Sequence, residues 1–316
     1  MIPDHKKIEK TGDDRPAKSL FGFVWRMSGW SQIWPVSLAL AIAALSIAPL
    51  ELQRRIIDDG IKTGDVELIY WLGGLYLAVI ILHGLTKLLM QLFQGWLAES
   101  TILYCRRHLA KLHDKHHETR RIEENGTAVS IIRAEIEQVG NFVGIGLSEP
   151  IAQMGILVTV LGYMLYVEPL IALCSAIFLV PQILFAPILQ RKLNALVEER
   201  IGYLRELTEN VPDYPDSDEA RGDFRKLTSV IYRNQMVFFI WKFSGKAAIN
   251  FMNAVAPISV LVIGGIMVIQ DQTEIGIVVA FISGFSKLSD PIRELITYYR
   301  DAAQTAVKHQ MIADWM

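Results

Sequence analysis

The residues of this chain that could do chemistry are ionisable and amide side chains set inside apolar runs. Lys87 and Glu149 interrupt two such runs. Asn250 and Asn253 lie in a third, three positions apart and so on one face of a helix. Arg55, Asp58 and Asp59 cluster beside Arg54 at the end of a fourth. An ion inside hydrocarbon is costly unless it faces protein or water, so such groups mark pathways or structural pairs. Two readings are open for each set. Lys87 and Glu149 border a polar cavity as a charge pair, or they snorkel to the headgroup level. Asn250 and Asn253 contact a transported molecule, or they join helices by hydrogen bonds. Arg55, Asp58 and Asp59 form an extracellular gate, or a helix-end charge network. His113, His116 and His117 are spaced for two imidazoles on one helical face. No further metal ligands accompany them, so they read as packed or solvated histidines and no metal site is assigned. No catalytic set is assigned either.

The elements that must position these residues are six apolar spans. They are Ile33–Leu50, a run from Leu68 to Thr86, Pro150–Val167 with a start near Val139, Pro169–Leu189, Ala247–Gln270, and a run from Ile275 to Ser286. All but the last approach the roughly 20 residues needed to cross about 30 Å of hydrocarbon. The sixth must complete its crossing with Lys287 and Asp290 near its inner end or against protein. The odd connections, Glu51–Glu67, Glu168 and Asp271–Glu274, contain only Arg54, Arg55 and Lys62 as basic residues. The second connection, about 99–138, holds seven basic residues and the fourth, about 190–246, holds ten. That asymmetry predicts a multi-pass protein with both termini cytoplasmic.

Composition agrees. A hydrophobic fraction of 52% with 20% charged residues suits helices that cross the bilayer and continue into water. The net charge of −2 gives no reason to expect a nucleic-acid partner. Cys105 and Cys174 fall in helical segments, without metal-ligand spacing or a disulfide framework. Residues 1–19 read as a flexible cytoplasmic tail, since no apolar core precedes a cleavage site. Residues 20–34, with Phe21, Phe23, Trp25, Arg26, Trp30 and Trp34, read as an interfacial helix.

The inner loops keep helical periodicity. Ile102, Cys105, Leu109, Leu112 and His116 recur at alternating spacings of three and four. No proline interrupts Val66 to Ile122, so one helix there would be on the order of 80 Å long and project from the membrane. Each projecting hairpin is broken at its tip, first by Glu123-Glu124-Asn125-Gly126 and then by the proline-rich stretch Val211 to Asp218.

In this order and topology, four local motifs carry a family likeness. Arg55-Ile56-Ile57-Asp58-Asp59-Gly60-Ile61, the stretch Gly126 to Ile136, Gly276 with Ala280 and Phe281, and Pro291-Ile292-Arg293 followed by Leu295 stand in sequence. Together they resemble the transmembrane domain of an ATP-binding-cassette (ABC) exporter with six helices per half, over essentially everything after Leu20. The resemblance implies an all-α membrane protein with six long helices and cytoplasmic extensions. It implies two tips that dock on an ATPase, here Arg121, Glu124, Asn125, Gly126 and Thr127, then Asn210, Asp213, Tyr214 and Asp216. Thr127, Ile131 and Glu135 stand where the family tends to have Asp, Arg and Asp, and the second tip is shorter and richer in proline.

The chain contains no Gly-x-x-x-x-Gly-Lys-Ser/Thr phosphate loop. Gly284-Phe285-Ser286-Lys287 lacks the spacing and lies within an apolar span. The resemblance therefore implies that this chain binds no cofactor alone, and that ATP and magnesium sit on an ATPase partner or on a further domain. It also implies a dimer with a second copy or a homologous half, in the lipid bilayer of the plasma (inner) membrane if the source is bacterial. Two other classes remain open from the residues. One is a six-helix channel or secondary transporter independent of ATP; the other is a non-transporting membrane assembly subunit.

Overall fold

A computed structural model describes residues 19–116, 135–210 and 218–315, and among them every regular element is helical. Helix α1, Leu20–Ser28, is capped by Ser19, whose Oγ accepts from the Gly22 N–H at 3.1 Å. It ends at Gly29, whose φ of 46° suits glycine, and a 3₁₀ turn over Gly29–Gln32 leads into α2, Ile33–Leu45. The segment 20–34 is thus a short helix with a sharp exit rather than one continuous interfacial helix. Trp25 and Trp30 are exposed with ring centroids 6.3 Å apart, as expected of an interfacial aromatic belt.

After α2 come α3, Ala48–Arg55, with a π-helical turn over Ile56–Ile61, and α4, Val66–His116. Then follow α5, Ile136–Ile145, and α6, Ser148–Val167. Helices α7, Pro169–Asn210, α8, Asp218–Ile269, and α9, Ile275–Trp315, complete the set. Six helical stretches are long and apolar enough to cross a membrane. With 51 residues, α4 is about 77 Å long, more than twice the hydrocarbon thickness.

The chain divides into two compact units, residues 170–266 and the remainder. In the larger unit, α1 closes a buried cluster. Its Leu20, Phe23, Val24 and Met27 meet Ile102 of α4, Val139, Phe142 and Val143 of α5, and Ile312 of α9. Gly140 and Gly144 allow α5 to lie almost backbone to backbone on α4, at Ala98 and Gln94. A similar close approach joins α2 and α6, where Gly155 faces Ala43 and Thr159 Oγ1 donates to the Ala43 carbonyl at 3.0 Å.

Prolines account for both helix breaks in this unit. Pro49 has no N–H to offer the preceding turn, and the Leu50 N–H turns to the Ile47 carbonyl at 2.9 Å. Pro150 likewise leaves the Gly146 carbonyl unclaimed by its own helix. The Tyr298 hydroxyl of α9 donates to it at 2.6 Å.

The smaller unit is the α7–α8 hairpin. Leu179, Leu189 and Leu196 of α7 and Ala256 and Val260 of α8 are buried. Gly245 sits against Leu189. Both helices run unbroken through Pro181, Pro187 and Pro257.

Candidate functional site

Helices α2, α3, α4, α6 and α9 enclose a cavity of about 660 Å³. Ile42, Ile80, Met90, Ala152 and Ile156 give it apolar walls. Its polar groups come from His83 and Lys87 of α4, Glu149 and Gln153 of α6, and Lys287, Asp290 and Arg293 of α9. Each arrives by helical spacing: His83 and Lys87 are four apart, as are Glu149 and Gln153, so each pair shares a helix face.

Lys87 and Glu149 therefore line one cavity, but the structure does not pair them. No ion pair joins them among the described residues. The Glu149 carboxylate accepts from Gln153 Nε2 at 2.8 Å and Gln94 Nε2 at 3.3 Å. Gln94 Nε2 also donates to the buried Ser148 hydroxyl at 2.8 Å. Asp290 and Arg293 pair with each other at 2.9 Å, both well exposed. Lys287 has a different environment. It is half-buried, and its Nζ reaches the Ser46 carbonyl at 3.5 Å. That carbonyl belongs to the turn loosened by Pro49.

Asn250 and Asn253 separate in their roles. Asn250 is exposed, while Asn253 Oδ1 accepts from Gln182 Nε2 across the α7–α8 hairpin at 2.9 Å. Asn253→Ala is expected to destabilise the hairpin by about 1 kcal/mol. Adding Gln182→Ala should cost little more, because the shared bond is already gone. A double-mutant cycle on thermal midpoints in detergent checks this; fully additive losses would show that the two amides act independently.

At the outer end, Glu51 is the hub that sequence reasoning missed. Its Oε1 accepts from Arg55 Nε at 2.7 Å and Arg54 Nη2 at 3.2 Å, and its Oε2 accepts from the Tyr163 hydroxyl at 2.9 Å. Asp58 is buried and accepts the Gly276 N–H at 2.7 Å, anchoring the first turn of α9 to the end of α3. Asp59 is exposed. So Arg55, Asp58 and Asp59 do not close on one another. A carboxylate at a helix N-terminus is favoured by the unpaired N–H groups there. The signal in sequence was the family-like run around Asp58, whereas Glu51 lay one turn earlier in an unremarkable position.

His113 and His116 fall in the last turns of α4, and His117 lies outside the described residues. Arg121, Glu124, Asn125, Gly126, Thr127, Asp213, Tyr214 and Asp216 also lie outside them, and Asn210 is the last residue of α7.

Comparison with known proteins agrees with the helical architecture. The chain is similar to a Bacillus subtilis (strain 168) protein whose name places it in multidrug export, the ATP-binding/permease protein YgaD. The two are 24% identical over 285 residues, covering 83% of this chain and 48% of that protein. The chain thus spans about half the length of the curated relative it matches. The family model of the ABC transporter transmembrane region matches residues 33–211. With more than half its length so matched and six helices able to span a membrane, the chain belongs to the ABC transporter transmembrane-region family.

Proposed function

We propose that this chain forms the membrane path of an ATP-driven exporter and works as a dimer with a second copy or a homologous half. Membership of the ABC transmembrane family carries this reading, and a large cavity between five helices supports it. The name of the half-covered relative, which joins an ATP-binding part to a permease, points the same way. ATP and magnesium then reside on an ATPase domain, and both chain termini face the cytoplasm with it. The contact is assigned to Arg121, Glu124, Asn125, Gly126 and Thr127 at the first tip, and Asn210, Asp213, Tyr214 and Asp216 at the second. ATP binding draws the cytoplasmic ends together and opens the path outward, and hydrolysis lets them part. The driving force is the different affinity of the two conformations for the closed ATPase pair.

Purification from the native membrane is expected to bring down an ATPase polypeptide or to show this sequence fused to one. In proteoliposomes of that complex, deletion of Asn125–Thr127 should abolish transport while the chain still inserts. Transport at the undeleted rate would remove the docking assignment. Transport by this chain alone on an ion gradient would remove the ATP-driven reading altogether.

A further inference from the structure

Lys287 lacks the partner that its position calls for. By helical rise it lies about 18 Å below the outer end of α9, within the hydrocarbon layer. An ammonium group held there needs an acceptor of matching charge. Its recorded contact is the Ser46 carbonyl at the long distance of 3.5 Å, and no carboxylate forms an ion pair with it among the described residues.

The neighbourhood is positive. Lys87 lines the same cavity, and both ammonium groups act electrostatically on the His83 ring. Of the cavity's carboxylates, Asp290 is neutralised by Arg293 and Glu294 is exposed. Glu149 is held by the amides of Gln94 and Gln153. By helical rise it also lies about 9 Å nearer the inner end than Lys287. Two lysines against one buried-side carboxylate leave an excess of one positive charge. Around it stand Ile42, Ile80 and Ile156.

We infer that this cavity binds the anionic head of an amphipathic molecule, a phosphate or a carboxylate, on Lys287 and Lys87, with its apolar tail against the isoleucine wall. The inference rests on the proposal that the cavity is part of a substrate path. Two sources share this chemistry, a membrane phospholipid headgroup and a soluble amphipathic anion.

The test uses the full chain in zwitterionic phosphatidylcholine nanodiscs, titrated with decyl phosphate and, separately, with decyltrimethylammonium. Decyl phosphate is expected to bind, and Lys287→Gln to weaken it about tenfold through loss of a charge-assisted contact. Lys287→Arg keeps the charge and should stay within about threefold of the parent. Decyltrimethylammonium should gain nothing from Lys287. Lys87→Gln, at an exposed side chain, should weaken decyl phosphate severalfold and covers the case in which Lys287→Gln does not fold. Unchanged decyl phosphate affinity in the glutamine variants overturns the inference, as does an equal loss in Lys287→Arg.

Adding phosphatidylglycerol to the discs separates the sources. Competition with decyl phosphate supports a lipid headgroup, and its absence supports a soluble anion. The transport proposal fails separately. If cationic or neutral amphiphiles stimulate the associated ATPase while decyl phosphate does not bind, export stands and the anion site falls. If decyl phosphate binds but no amphiphile alters the ATPase rate, the site stands and export falls.

Discussion

Gly144→Ala is expected to cost the folded protein about 3 kcal/mol or more. A methyl group at this position would overlap the Gln94 carbonyl oxygen of α4 and come within 3.2 Å of the Ala98 methyl. The obstacle is backbone, so no rotamer change relieves it. The two helices must part, and the parting carries Gln94 away from Ser148 and Glu149. Those buried groups would then lose their hydrogen bonds in a layer that offers no water. Gly140→Ala provides the contrast. Its new methyl meets mainly the Ile102 side chain, which can rotate aside. The thermal midpoint and the monodisperse fraction in detergent should therefore fall steeply for Gly144→Ala and modestly for Gly140→Ala. Equal midpoints for the two variants would show that the α4–α5 crossing is looser than its geometry.

Gly276→Ala should have an effect of similar size at the outer end, also about 3 kcal/mol. The added Cβ would fall 2.5 Å from the Arg54 carbonyl oxygen and onto the Asp58 carboxylate. The first turn of α9 would have to retreat from α3, breaking the 2.7 Å bond from the Gly276 N–H to Asp58. A buried carboxylate would be left without its donor, which is the costly part. Asp58→Asn retains an acceptor oxygen and loses only the charge, so its expected cost is smaller, about 1 kcal/mol. Thermal unfolding should order the proteins as parent, Asp58→Asn, Gly276→Ala. A Gly276→Ala protein as stable as the parent would remove Asp58 as the anchor between these helices.

Both predictions rest on contacts between residues far apart in sequence, and this is where sequence reading ended. The six spans were legible because hydrocarbon thickness demands long uncharged runs, and the alternation of basic and quiet connections set an expected orientation. The length of α4 was legible too, since nothing from Val66 onward breaks a helix. The depth of Lys87 and Glu149 could be counted down their helices. Their lack of pairing could not, because the direction a side chain takes around a helix axis depends on how that helix is rotated against its neighbours. Asn253 was visible as a polar group, but Gln182, its partner 71 positions away, was not. Glu51 and Gln94 were missed because a carboxylate or an amide in a helix carries no local sign of which helix it will reach.

The sequence by itself determined the class of this protein, its six helices, their approximate bounds and its family, because each follows from local composition or from runs read in order. The tertiary structure alone decided which polar groups meet. Pro49 and Pro150 loosen two turns, and the carbonyls beside them are taken by Lys287 and Tyr298 of a helix roughly 150 to 240 residues onward. Two glycines set how closely α4 and α5 approach. The physical reason is that hydrocarbon constrains every helix in the same way, whereas close packing and hydrogen bonding distinguish one helix from another only once they are side by side.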